Sequence, residues 1–207
     1  MNNTRRLVTL STALLVSLAL PCAAQQKLLP AQSALTFTAK QMGVPINGRF
    51  KKFDAQVSFD AAKLASSKVA FIVDMGSASI GIPEMDIELP KAIWFNVAKF
   101  PQASFVSSSF KSLGSGHYEV SGLLSIKGQA QHVTAPLTMT HDGTSTVVNG
   151  VLLIKRLVFK IGDGDWADTS MIANDVQVMF KLALSGIDKP KAESGQPESI
   201  HQSYNCN

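Results

Sequence analysis

The sequence predicts an all-β fold, an eight-stranded antiparallel up-and-down β-barrel, on three observations. Apolar and polar residues alternate with period two along most of the chain, short links containing Gly, Asn or Asp separate the alternating runs, and several of the eight runs exceed ten residues. Alternation marks a strand with one dry face. Short links of that composition make hairpins, hence antiparallel neighbours. Long strands in an even number suit a closed barrel, which has no unpaired edge, whereas a two-sheet sandwich usually uses shorter strands.

The first segment is not part of the barrel. Met1 to Arg6 carries Arg5 and Arg6, Leu7 to Leu20 is an uncharged apolar run, and Cys22-Ala23-Ala24 offers small residues before a cut at Gln25. Charge, apolar run and small-residue exit make 1–24 a secretory signal peptide and imply export. The run is short for a membrane span of roughly 20 residues. A lipid anchor on Cys22 is disfavoured by Pro21, which stands where such signals carry Gly or Ala. Cleavage removes Cys22, Arg5 and Arg6 and no acidic residue, so Cys206 is the only cysteine left and the formal charge falls from +4 to +2. No internal disulfide is then available, and so small a surplus argues against nucleic acid as a partner. Residues 25–187 suit one domain with its own core, and no later stretch is long and apolar enough for stable membrane insertion.

The strands follow in order. In 33–42, Leu35, Phe37 and Ala39 alternate with Thr36, Thr38 and Lys40. Gly43 to Gly48 is the turn into 47–60, where Phe53, Ala55, Val57 and Phe59 alternate with Asp54, Gln56, Ser58 and Asp60. The third strand, 67–79, places Val69, Phe71, Val73 and Met75 on one face. Residues 83–99 interrupt the meander with Met85, Ile87, Leu89, Ile93, Trp94 and Phe95, a short helical or loop insertion apolar enough to lie over a barrel end. Strand 101–110 precedes the Gly114-Ser115-Gly116 turn, and 116–127 sets Tyr118, Val120, Leu124 and Ile126 against Glu119, Ser121 and Ser125. Beyond Lys127-Gly128, 130–141 sets Val133, Ala135, Leu137 and Met139 against His132, Thr134, Thr138 and Thr140. His141-Asp142-Gly143 leads into 145–158. Residues 159–170, with Gly162, Gly164 and three aspartates, read as a structured loop, and 171–186 closes the set with Val176, Val178, Phe180, Leu182 and Leu184. From 188 to 207 the composition turns polar, a tail with little to bury that is expected to be disordered.

Period two does not say which face is wet. An outer-membrane barrel alternates too, but it carries aromatic girdles and ends on its last strand. This chain has only two Trp and two Tyr and continues for about twenty polar residues, so the apolar face is assigned inward. Eight strands enclose a space that side chains either fill or leave open to one small ligand. Phe mixed with Gly122, Ala135 and Gly150 leaves both outcomes open; a hollow interior suits a long hydrocarbon, worth about 0.8 kcal/mol per buried CH₂.

Pieces of the sequence, in order, resemble the YceI-like family. They are Ser33-Ala34-Leu35-Thr36-Phe37 with Met42-Gly43, Gly48-Arg49-Phe50 with Phe53 and Phe59-Asp60, Trp94-Phe95-Asn96-Val97, and Phe100-Pro101-Gln102-Ala103-Ser104-Phe105. Gly122 to Gly128, Arg156-Leu157-Val158-Phe159 and Gly162 to Ser170 complete the match. The resemblance implies a lipocalin-like periplasmic barrel whose elongated apolar pocket takes a long-chain isoprenoid or quinone-type amphiphile. Gln41 stands where many members carry His, which puts any headgroup contact by that His in doubt, and Lys160 replaces a frequent Gly. The early Gly-x-Trp of true lipocalins is absent, so likeness to that family is architectural only.

The expected ligand-binding residues are Phe37, Phe50, Phe53, Phe95, Phe105, Leu124, Ile126, Leu152, Ile154, Phe159, Val178 and Phe180. Arg49 and Arg156 are the candidates for a headgroup, since an Arg at the barrel mouth can hold a phosphate, carboxylate or quinone oxygen; the plainer reading of each is a solvated strand residue. No catalytic set is expected, nor a metal or cofactor. His117, His132, His141 and His201 fall on separate hairpins or the tail without metal-ligand spacing. Asp163, Asp165 and Asp168 lack the ligand order of a calcium loop, with Asn174 where its final Glu would stand. Gly114-Ser115-Gly116 lacks the third glycine of a nucleotide fingerprint, no nucleophile elbow occurs, and Cys206 has no partnering base. A carrier is therefore the leading reading, an enzyme of isoprenoid or quinone metabolism or a filled-barrel interaction module the rivals, and a homodimer is left open.

Overall fold

The computed structural model describes residues 26–187; the signal peptide assigned to 1–24, Cys206 and the polar tail 188–207 lie outside the described residues. Eleven strands form one sheet: β1 (Lys27–Leu28), β2 (Ala34–Gln41), β3 (Val44–Phe50), β4 (Phe53–Ser58), β5 (Lys68–Asp74), β6 (Ala78–Ser79), β7 (Gln102–Gly114), β8 (His117–Ile126), β9 (Gln129–Asp142), β10 (Ser145–Lys155) and β11 (Asp175–Ser185). Three consecutive pairs of these segments act as single broken staves. β1 and β2, parted by a 3₁₀ turn at Pro30–Gln32, both pair with β11 on one side, while on the other side β1 pairs with β4 and β2 with β3. β3 and β4 likewise pair with β6 and β5. Counted as staves, the barrel has eight, every neighbouring pair is antiparallel, and the order around the barrel is the order along the chain.

The breaks correct the sequence-derived boundaries. The expected strand 47–60 bends at Lys51–Lys52 and 67–79 bends at the 3₁₀ turn Met75–Ser77, so the two bends lie side by side. There the Ser77 hydroxyl replaces ladder bonds: it accepts from Lys52 N–H (3.0 Å) and donates to Asp74 C=O (2.6 Å). Ser77 is buried, so its loss strands a donor that water reaches poorly. Ser77→Ala is expected to lower stability by about 1–3 kcal/mol and the midpoint of thermal unfolding by several degrees. An unchanged midpoint would show that the bend does not need the hydroxyl.

Other ends also move. β7 runs on to Gly114, with register shifts opposite β8 that let so long a strand coil. β10 stops at Lys155 because Arg156–Phe159 turns into a 3₁₀ helix, closed by Lys160 in the left-handed region (φ 56°). β11 begins only at Asp175. The insertion at 83–99 holds one helical turn, α1 (Pro83–Asp86), followed by hydrogen-bonded turns, as its composition suggested.

The alternating apolar residues point inward and gather in two clusters. One, at the closed end, contains Leu28, Phe59, Tyr118, Val120, Leu137, Val148 and Leu184; Phe59 meets Phe110 and Tyr118 edge-on with ring centroids 5.6 and 5.4 Å apart. Gln26 fastens this plug through two hydrogen bonds between its side-chain amide and the Phe59 backbone. The other, at the mouth, contains Val73, Met75, Phe95, Ile126, Ile154, Phe159 and Ile161.

Candidate ligand-binding site

The barrel is hollow, and residues of both clusters line the space. The cavity is about 440 Å³, within the usual range of small-molecule sites. Its wall takes the inward residues of every stave, and several of them, including Phe71, Leu124, Leu152, Val178 and Phe180, are only half-buried although they point away from the outer surface. A filled core would cover them.

The lining is apolar except for Lys40, Gln41, Glu88 and Arg156. These four lie at one end. Lys40 and Gln41 finish β2, Gln41 bridges to Ile172, Glu88 belongs to the insertion, and Arg156 follows β10. The site is therefore amphiphilic along its length, greasy from the aromatic plug upward and polar at the mouth.

The insertion and the loop before β11 form the mouth, and two buried cations fasten them. Lys127, 8% exposed and itself in left-handed backbone (φ 49°), donates from Nζ to the carbonyls of Ile93 (3.1 Å) and Lys160 (2.5 Å) and lies 3.8 Å from an Asp163 carboxylate oxygen. Burial draws its pKa below the ordinary lysine value, with Asp163 acting in the opposite direction. Arg156 is 2% exposed and gives all five N–H donors to backbone carbonyls: Nε to Ala173, one terminal nitrogen to Ile161 and Gly162, the other to Trp166 and Ile172. Trp94 of the insertion and Trp166 of the loop then meet with centroids 5.7 Å apart, and both line the cavity.

Of the residues expected at the site, Phe37, Phe50, Phe95, Phe105, Leu124, Ile126, Leu152, Ile154, Val178, Phe180 and Arg156 line the cavity. Three do not. Phe53 follows the bend and packs on Phe71 (5.7 Å) between the clusters, within the wall itself. Phe159 is 2% exposed in the 3₁₀ turn, where the two-residue alternation has ended. Arg49 is exposed on the outer face, as its place between inward Gly48 and Phe50 requires. Arg156 is neither a headgroup donor nor a solvated strand residue: with no N–H left to offer, it is the clamp of the loop. Sequence reasoning missed Lys40, Glu88, Trp94 and Trp166 as lining residues, because only the packing of the insertion and loop over the mouth gives them a common wall, which they share with Gln41. Among the described residues no group of three His, Cys, Asp or Glu side chains comes together as a metal site.

The family model described as the YceI-like domain matches residues 27–184. The chain belongs to the YceI-like family. Among solved structures, this YceI-like barrel is similar to BcnA of Burkholderia cenocepacia, at 41% identity and a TM-score of 0.73 over 75% of this chain and 98% of that one. A polyisoprenoid binding domain from Saccharophagus degradans, implicated in plant cell wall breakdown, shares the fold at 19% identity and a TM-score of 0.63, over 78% of this chain and 98% of that one. A UPF0312 protein of Shewanella denitrificans is 36% identical over 110 residues, 53% of this chain and 56% of its own. The chain thus spans about half the length of the curated relatives it matches.

Proposed function

We propose that this YceI-like protein is a periplasmic carrier that holds one long-chain isoprenoid or quinone-type amphiphile, its tail in the lumen and its polar end at the mouth. The observation that carries this reading is the cavity itself, lined by both apolar clusters and apolar except at one end. Each methylene moved from water into such a lumen gains about 0.8 kcal/mol, so a chain of a dozen carbons gains about 10 kcal/mol before ordering costs. At the mouth, Lys40, Gln41 and Glu88 offer the headgroup a cation, an amide and a carboxylate. The isoprenoid assignment is supported by the Saccharophagus domain, whose description names that ligand class. Export is supported by the order of charge, apolar run and small residues in 1–24.

The test is organic extraction of the protein purified from its native host, followed by mass spectrometry. One equivalent of an isoprenoid or quinone-type amphiphile is the expected result. An extract without lipid, from protein of intact β-sheet circular dichroism, would overturn the reading.

A further inference from the structure

Three glycines occupy inward positions of the wall, Gly48 on β3, Gly122 on β8 and Gly150 on β10, and each is covered by a phenyl ring from a neighbouring strand. The Phe37 ring lies across Gly48, Phe105 across Gly122 and Phe180 across Gly150, so closely that a methyl group on any of the three would overlap the ring. Phe37 is directly opposite Gly48 in the β2–β3 ladder, and Phe180 directly opposite Gly150 in the β10–β11 ladder. An inward phenylalanine normally projects toward a barrel axis. Here the missing side chain gives the ring a place against the wall, and the axis stays clear.

We infer that these glycine–phenylalanine pairs set the width of the lumen, and that Gly48, Gly122 and Gly150 are specificity-determining residues for a methyl-branched chain over a straight one. The inference rests on the lumen being the lipid site proposed above. Width, more than length, separates the two ligand classes: a prenyl chain carries a methyl branch on every fourth backbone carbon, and a straight acyl chain carries none. One methyl group that a pocket does or does not accommodate is worth about tenfold or more in discrimination.

Gly48 gives the clean test. Its φ is not in the left-handed region, and the three nearest atoms to an added Cβ all belong to the Phe37 ring, so alanine fits the backbone and displaces only the phenyl group inward. At Gly122 and Gly150 the carbonyls of Val106 and Pro136 also obstruct a Cβ, so substitution there would strain the sheet as well. Delipidated protein is titrated with the fluorescent fatty acid cis-parinaric acid, which is then displaced by farnesol and by dodecanol, alcohols of equal main-chain length with and without methyl branches. Gly48→Ala is expected to weaken farnesol about tenfold and dodecanol less than about threefold, and Phe37→Leu in the same chain to restore farnesol to within about twofold of wild type. A folded wild-type protein that takes up neither parinaric acid nor either alcohol overturns the lipid-site reading and this inference with it. Wild-type binding that Gly48→Ala leaves unchanged, or weakens equally for both alcohols, overturns the inference alone. Should Gly48→Ala lose its β-sheet signal, Phe37→Leu by itself decides: it is expected to tighten farnesol relative to dodecanol, and an unaltered ratio overturns the inference.

Discussion

Replacing Arg156 with leucine is expected to destabilise the protein by about 3–5 kcal/mol, the largest stability effect of any single substitution considered for this chain. The guanidinium is the hydrogen-bond partner of five backbone carbonyls, at Ile161, Gly162, Trp166, Ile172 and Ala173, spread over a loop that has little regular structure to satisfy them. Leucine fills part of the volume and bonds none of them. Each carbonyl left buried costs about 1–3 kcal/mol, less wherever the loop opens far enough to admit water, which is why the total falls below the simple multiple. Arg156→Lys is expected to recover only part of the loss, because an ammonium has three donors and no planar fork to reach partners on both sides. For a domain of this size the leucine variant should unfold about 10 °C below wild type, and hydrogen exchange should quicken first across 161–173. A lysine variant as stable as wild type would mean that the fork is not what holds the loop. The prediction also separates clamp from ligand contact, since an arginine with no spare N–H loses stability on substitution whether or not lipid is present.

That clamp also marks where the sequence stops being legible. The staves were readable because period-two alternation is a local property, and residues such as Leu35 and Phe37, or Val178 and Phe180, declare their face to any reader who knows the pleat. The bend at Lys51–Lys52 was not, because its cause is a serine hydroxyl some twenty-five residues away. Arg156 looked like a mouth cation because its carbonyl partners, which carry no side-chain signature, come from the far side of a loop. Gly122 and Gly150 left open whether the interior was filled, because a glycine does not show which ring lies across it; Phe105 and Phe180 do, against the wall. The hollow also needs the barrel's girth, which the strand count implies but composition does not show. Arg49 sits outside, as its plainer reading had it, by the same alternation that places Gly48 and Phe50 inward. The resemblance to YceI-like sequences supplied the family, and no amount of periodicity would have supplied it.

Leu152→Trp is expected to abolish uptake of an apolar chain, a loss of more than about a hundredfold in affinity, while leaving the barrel folded. Leu152 stands midway along β10, packs against both apolar clusters, and is half-buried because part of its surface faces the lumen. A larger side chain in a packed core would strain its neighbours by about 1–3 kcal/mol. At Leu152 the added indole has open space to enter, so that cost is small and the cavity is consumed instead. Four or more methylene positions removed from the lumen at about 0.8 kcal/mol each give the hundredfold figure. The two effects separate two uses of the same apolar interior. If the interior exists to stabilise the scaffold, filling it should hold or raise the thermal midpoint and alter nothing else. If it exists to house a ligand, the filled variant should be as stable as wild type and yet carry no lipid when isolated from the native host. A variant that still co-purifies with a full equivalent of the same amphiphile would place the ligand somewhere other than in the lumen, and the lumen would then have to be read as a packing defect.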